Sequence, residues 1–200
     1  MSAPPAEHAH VLIDHTGAPR PLFFTPQSLD DARLGMAVHE AGHAVLALLY
    51  GLRVETTEII QWTGEDGDWF LTGQTAVNGR RICPWDLAAY MAAGEVAHLK
   101  HLAGLGWTRE QAEAIATADH DREDAVATLA RHGFRLGRDH APHGGRSWAS
   151  IQAQALDAVD AVWEQITTVA RAIAADTKLH GDTVAALVGL PNPESIGGVS

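Results

Sequence analysis

A single cysteine, Cys83, in 200 residues excludes an internal disulfide framework and any metal site built on several thiolates. Basic charge is scarce as well: 14 lysines and arginines stand against 25 aspartates and glutamates, a net charge of −11 with the histidines neutral. A nucleic-acid binder needs a basic face to neutralise phosphate, and docking on an anionic membrane surface asks for the same, so neither partner is expected. No uninterrupted apolar run approaches the length that spans a bilayer. The start, Met1-Ser2-Ala3-Pro4-Pro5-Ala6-Glu7, has no basic residue and no apolar stretch, so it does not read as a signal peptide. With a lone cysteine, this predicts a cytoplasmic protein.

What the chain does have is histidine, 12 of them, in an otherwise ordinary globular composition of 46% apolar and 20% charged residues. The length suits one domain with a sizeable core. Residues 1–27 mix prolines and histidines with short apolar pieces and are expected to form a loosely ordered N-terminal arm. Residues 28–190 carry the domain, and 191–200 are expected to be a flexible tail.

Ser28 followed by Asp31 looks like a helix start. The helix should run from about Leu29 to Tyr50, with Gly51 stopping it. Residues 53–62 are rich in β-branched side chains and read as a strand, residues 64–68 as a turn, and residues 69–77 as a second strand. Helices should follow over Pro84 to about Leu102, Thr108 to about Thr117 and Asp119 to about His132. Residues 138–145 form a loop; a long helix spans Ser147 to about Ala175 and a short one Gly181 to Val188. No internal repeat is present. The fold class is therefore mainly α with a small β-hairpin, an α+β domain.

The most specific motif is His39-Glu40-Ala41-Gly42-His43. On a helix, residues four apart are separated by about 40° of rotation, so both imidazoles project from one face and can chelate one ion. The glutamate beside the first histidine then stands where it can take a proton from water next to the ion. His39 and His43 are candidate metal ligands and Glu40 the candidate general base. The flanking residues, from Leu34 to Leu49, are apolar almost all round, which predicts a buried helix. Buried there without partners, each polar side chain would cost about 1–3 kcal/mol, and a metal ion supplies the partner. Gly42 leaves room for a close neighbour.

A catalytic zinc takes three protein ligands and keeps one open position. The segment Asp119-His120-Asp121-Arg122-Glu123-Asp124 holds the richest set of candidates. Ala125, Val126, Leu129 and Ala130 form an apolar face there, and Asp121 continues it inward, four residues before Ala125 and eight before Leu129. Asp124 falls on the solvated side, and Asp119 is better placed as an N-cap. Asp121 is thus favoured, with Asp119, His120 and Asp124 as alternatives. A rival comes from another helix: Glu95 aligns with Met91 and Leu99, and is either a ligand, an acid orienting a ligand imidazole, or a surface acid beside a loosely packed Gly94. His98 and His101 read as surface groups or as neighbours of the ligands.

In these residues the chain resembles the protease domain of the FtsH-type zinc metallopeptidases. Ala37-Val38-His39-Glu40-Ala41-Gly42-His43-Ala44-Val45 is close to that family's helix signature. Gly73-Gln74-Thr75 resembles a family strand, and Ala93-Gly94-Glu95-Val96-Ala97-His98 is similar to its Gly-Arg-x-x-Glu helix. Asp121, with Ala125 four residues on, falls where the family has an aspartate ligand, and Leu179-His180-Gly181-Asp182-Thr183-Val184 is similar to its C-terminal segment. The likeness covers roughly residues 30–190, and the HEAGH stretch alone is specific. It implies a mainly helical, zincin-like metallopeptidase fold with zinc held by His39, His43 and Asp121, and Glu40 as base. Glu95 stands where the family has arginine and His98 where it has glutamate, and the 200 residues contain neither an ATPase module nor a membrane anchor.

The expected activity is therefore ATP-independent hydrolysis of peptide bonds in peptides or unfolded protein segments, by this chain alone, as a homo-oligomer, or with a separate delivery partner. Two histidines and one carboxylate favour zinc, with iron(II) the other known use of that set. Substrate would bind extended beside residues 53–62 or 69–77, with Trp62, Trp69 and Phe70 lining a pocket or simply filling the core. The rival reading is a non-catalytic module, binding or regulatory, in which a metal staples the helices; Glu40 would have no structural duty there.

Overall fold

Ser28 opens the first helix as its spacing predicts: the hydroxyl oxygen accepts the Asp31 N–H, and α1 runs Leu29–Leu49. Tyr50 closes it, and Gly51 follows at φ +78°, a conformation that costs glycine nothing. The computed structural model describes residues 25–64, 67–78, 82–116 and 118–194. Most of the expected N-terminal arm and the last six residues of the expected tail lie outside them.

Every residue from Ala37 to Leu48 is buried, because α1 is the central element. Helices α2 (Pro84–Gly104) and α6 (Trp163–Asp176) pack on it, and a small sheet covers another side. Its closest neighbour is α2. A Cβ on Gly42 would stand 2.6 Å from the Ala93 carbonyl oxygen and 2.9 Å from the Ala97 Cβ, so the absent side chain is what lets the two backbones approach.

In the sheet, β1 (Arg53–Thr63) lies between β2 (Trp69–Asn78) and β5 (Lys178–His180), antiparallel to both. The hairpin register runs from Thr63 opposite Trp69 to Arg53 opposite Asn78, with one irregularity between Val54 and Thr56. Among the described residues, β2 keeps one edge unpaired. Helix α3 (Arg109–Ile115) starts at a capping box of Thr108 and Gln111. Helix α4 is Asp119–Arg131, and the loop after it is bracketed by a short parallel pair, β3 (Leu136–Gly137) with β4 (Arg146–Ser147). Helices α5 (Trp148–Ala161) and α7 (Gly181–Val188) complete the chain. The main core draws Val38, Val45 and Leu46 of α1 together with Ile151, Ile166, Val169 and Ile173 of the C-terminal helices. No helix among the described residues is long and apolar enough to cross a membrane.

The structure differs from the sequence reading in several places. The expected long helix over 147–175 breaks at Val162, whose φ of −121° and ψ of 25° leave helical space. No glycine or proline signals the break: α5 packs on α2 while α6 packs on α1, and tertiary packing decides where each half goes. Strand β5 is only three residues long and has no local signal; it exists because β1 offers it an edge over Thr56–Glu58. The tail is tied down at its beginning. Asn192 imitates a strand partner, donating to the Val54 carbonyl and accepting the Val54 N–H, both at 3.0 Å, and Arg53 Nη1 donates to the Pro193 carbonyl.

Candidate metal centre

One turn of α1 separates His39 and His43, and their Nε2 atoms lie 3.1 Å apart. Helix α4 brings Asp121 to them, with Oδ2 at 3.3 Å from His39 Nε2 and 3.4 Å from His43 Nε2. His43 Nδ1 is 3.0 Å from the Tyr90 carbonyl oxygen. A carbonyl only accepts, so Nδ1 donates, and in the neutral ring the lone pair sits on Nε2.

Three donor atoms therefore converge. Oδ2 of Asp121 is buried with no hydrogen-bond partner, which is costly unless something else satisfies it. Bonds of 2.0–2.1 Å to a tetrahedral ion would set its ligand atoms about 3.3 Å apart, which is the spacing found. The group His39, His43 and Asp121 could hold a metal ion, and its chemistry fits a divalent one.

Two glycines shape the space around this group. A Cβ on Gly94 of α2 would stand 2.3 Å from His43 Nε2 and 2.5 Å from His39 Nε2. Gly94 is thus not loosely packed, as the sequence suggested: it borders the ring nitrogens themselves, and its missing side chain leaves the volume between them open. Gly73 of β2 does the same for Glu40, whose Oε1 would be 2.3 Å from an added Cβ.

Glu40 is buried, and its Oε2 accepts a hydrogen bond from the Thr75 hydroxyl at 2.7 Å. Thr75 and Thr57 are in turn 2.9 Å apart across the β1–β2 pair. Having spent its proton on Glu40, Thr75 accepts from Thr57, giving a relay Thr57 to Thr75 to Glu40. The carboxylate accordingly does have a structural partner, contrary to the sequence expectation.

The ionisation of the group follows from its packing. Burial opposes a charge on His43, but the nearby Asp121 and Glu40 outweigh it and raise the imidazole to about 9. Burial also works against ionised Asp121, and His43, His120 and His39 overcome it, holding the carboxyl well below its ordinary value. Without an ion, a proton takes the ion's place.

The other candidates are sorted by geometry. His120 Nε2 lies 3.1 Å from Asp121 Oδ1, the oxygen turned away from the imidazoles. Glu95 is not in the converging group. It is not a free surface acid, since Oε2 accepts from Gln152 Nε2 at 2.9 Å and Trp148 Nε1 at 3.3 Å, both on α5. Burial raises its pKa, against those two hydrogen bonds. Asp119 is not the N-cap of α4; Ala118 holds that place without a side-chain bond, and Asp119 pairs with Arg122 at 3.0 Å. Asp124 accepts from Thr128. Ala130, expected on the inner face of α4, is exposed; Ala125 and Leu129 are its buried residues. His98 is buried rather than on the surface, with Nε2 unpartnered. Burial first, then His39 and His101, lower it to about 3. Half-buried His101 is lowered by burial too.

Sequence reasoning did not single out Thr75 as the partner of Glu40, Gly94 as the neighbour of both rings, or the Tyr90 carbonyl. One signal was available: Tyr90 and Gly94 lie four apart on α2, so they share a face. No family model and no curated protein matches the chain.

Proposed function

We propose that this protein is a zinc-dependent endopeptidase that hydrolyses peptide bonds in peptides or unfolded segments, without nucleotide hydrolysis of its own. The observation that carries the reading is the convergence of His39, His43 and Asp121 at 3.1–3.4 Å, with a buried carboxylate oxygen facing both ring nitrogens and Glu40 on the same helix turn. An ion bound there supplies Lewis acidity toward water and a peptide carbonyl. Zinc suits two imidazoles and one carboxylate, with iron(II) the competing use of the same donors.

The chain's own groups do the rest. Thr75 holds Glu40 through Oε2, which leaves Oε1 to take a proton from the attacking water and return it to the leaving amine. The Tyr90 carbonyl fixes the tautomer of His43. Three donors are assembled among the described residues, whereas a metal used only as a staple closes its fourth position with protein; this favours catalysis over the stapled-module reading. Substrate adds as a strand on the edge of β2 that is unpaired among the described residues, where Gly73 and Thr75 touch Glu40. That edge is preferred to β1, which has β2 along one side and β5 across Thr56–Glu58 on the other. The rings of Trp62 and Phe70 stack at 5.4 Å between centroids at the far end of the hairpin, where they can meet a substrate side chain.

The test is incubation with casein, with and without a chelator, beside the Glu40→Gln variant. Turnover should require the ion and vanish in Glu40→Gln while that variant still binds metal. Hydrolysis that survives the chelator or the substitution would overturn the reading.

A further inference from the structure

Asp121 has two oxygens, and the structure uses them differently. Oδ2 faces both imidazoles, while Oδ1 lies 3.1 Å from Nε2 of His120, the preceding residue in the first turn of α4. Neighbours on a helix point about 100° apart, so this contact exists because the imidazole turns back over the carboxylate. The nearby cation Arg122 is engaged elsewhere, by Asp119 at 3.0 Å and Glu123 at 3.3 Å. Among the described residues His120 is thus the side chain whose ring nitrogen faces Oδ1. The His120 side chain is 34% exposed, against 17% for Asp121, so it stands between the carboxylate and solvent.

We infer that His120 is a positioning residue: its Nε2–H holds Oδ1, so that Asp121 offers Oδ2 alone to the ion. The inference rests on the metal site of the proposed function. A carboxylate left free to rotate could bind through both oxygens and fill a coordination position, whereas a restrained one leaves that position for water or a substrate carbonyl. Partners of this kind orient ligands and raise metal affinity. Glutamine is the informative replacement, because its amide Nε2 carries a proton at a reach close to that of the imidazole Nε2; leucine has the bulk and no donor.

The experiment compares the full chain with His120→Leu and His120→Gln. Zinc affinity is measured by competition with a chromophoric chelator, and coordination number by the visible absorption of the cobalt(II)-substituted protein, which weakens from four- to five-coordinate. His120→Leu should lose about 10–100-fold in zinc affinity and show the weaker cobalt band, and His120→Gln should stay within about threefold of the parent. Circular dichroism should show the same helix content in all three. Unchanged affinity and spectrum in His120→Leu, with the parent binding normally, would overturn this inference and leave the proposed function standing. A parent chain that binds neither metal would overturn both.

Discussion

Gly94→Ala tests the proposed metal centre without touching a candidate ligand. The added methyl would stand 2.3 Å from His43 Nε2 and 2.5 Å from His39 Nε2, where non-bonded contact calls for about 3.5 Å. The rings must therefore withdraw by roughly 1 Å, several times the ±0.2 Å or so that metal–ligand distances tolerate. His43 cannot swing freely, because Nδ1 is tied to the Tyr90 carbonyl at 3.0 Å; one imidazole leaves the ion or that bond breaks. If about 10–16 kcal/mol of zinc binding is shared among four ligands, losing one costs about 3 kcal/mol, or a hundredfold in affinity. Alanine is about 1 kcal/mol better than glycine inside a helix, so the helix should persist. The assay is chelator competition with circular dichroism as control. Helix content retained with zinc affinity within a few-fold of the parent would refute this account of Gly94.

The pH dependence has two opposite signs. His43 is lifted from 6.5 to about 9 in the ion-free fold, so its pairing stabilises that fold fully below pH 6.5 and is lost as pH rises through about 9, by about 3 kcal/mol. Zinc must displace the same proton, so its affinity should climb about tenfold per unit between pH 7 and 9; a flat affinity profile would contradict the pairing. Thr75→Val removes the donor to Glu40 Oε2 and should lower kcat about tenfold or more with zinc affinity unchanged, read from casein turnover and metal titration in parallel. Asp121→Ala should emerge from dialysis without zinc; an unchanged stoichiometry would move the third donor to His120 or Glu95.

Most of the centre was legible because helical periodicity places it. His39 and His43 share a face by their spacing alone, and Asp121 is drawn inward by the same register that buries Ala125 and Leu129. What failed to show was set by contacts between elements. Gly94 looked like slack in α2 because a glycine's neighbour on another helix leaves no mark in the sequence. Glu95 shares the inward face, yet Trp148 and Gln152 of α5 hold it away from the ligand group. The break at Val162 and the short β5 likewise come from partners, α1 and α2 in one case and β1 in the other.

The most direct measurement is X-ray absorption at the zinc edge of the purified chain, together with its metal content. One ion per chain is expected, with two imidazole nitrogens and a carboxylate oxygen at about 2.0–2.1 Å, and with all three signals lost in Asp121→Ala. An ion bound through sulfur, with a single imidazole, or no stoichiometric ion at all would contradict the central claim.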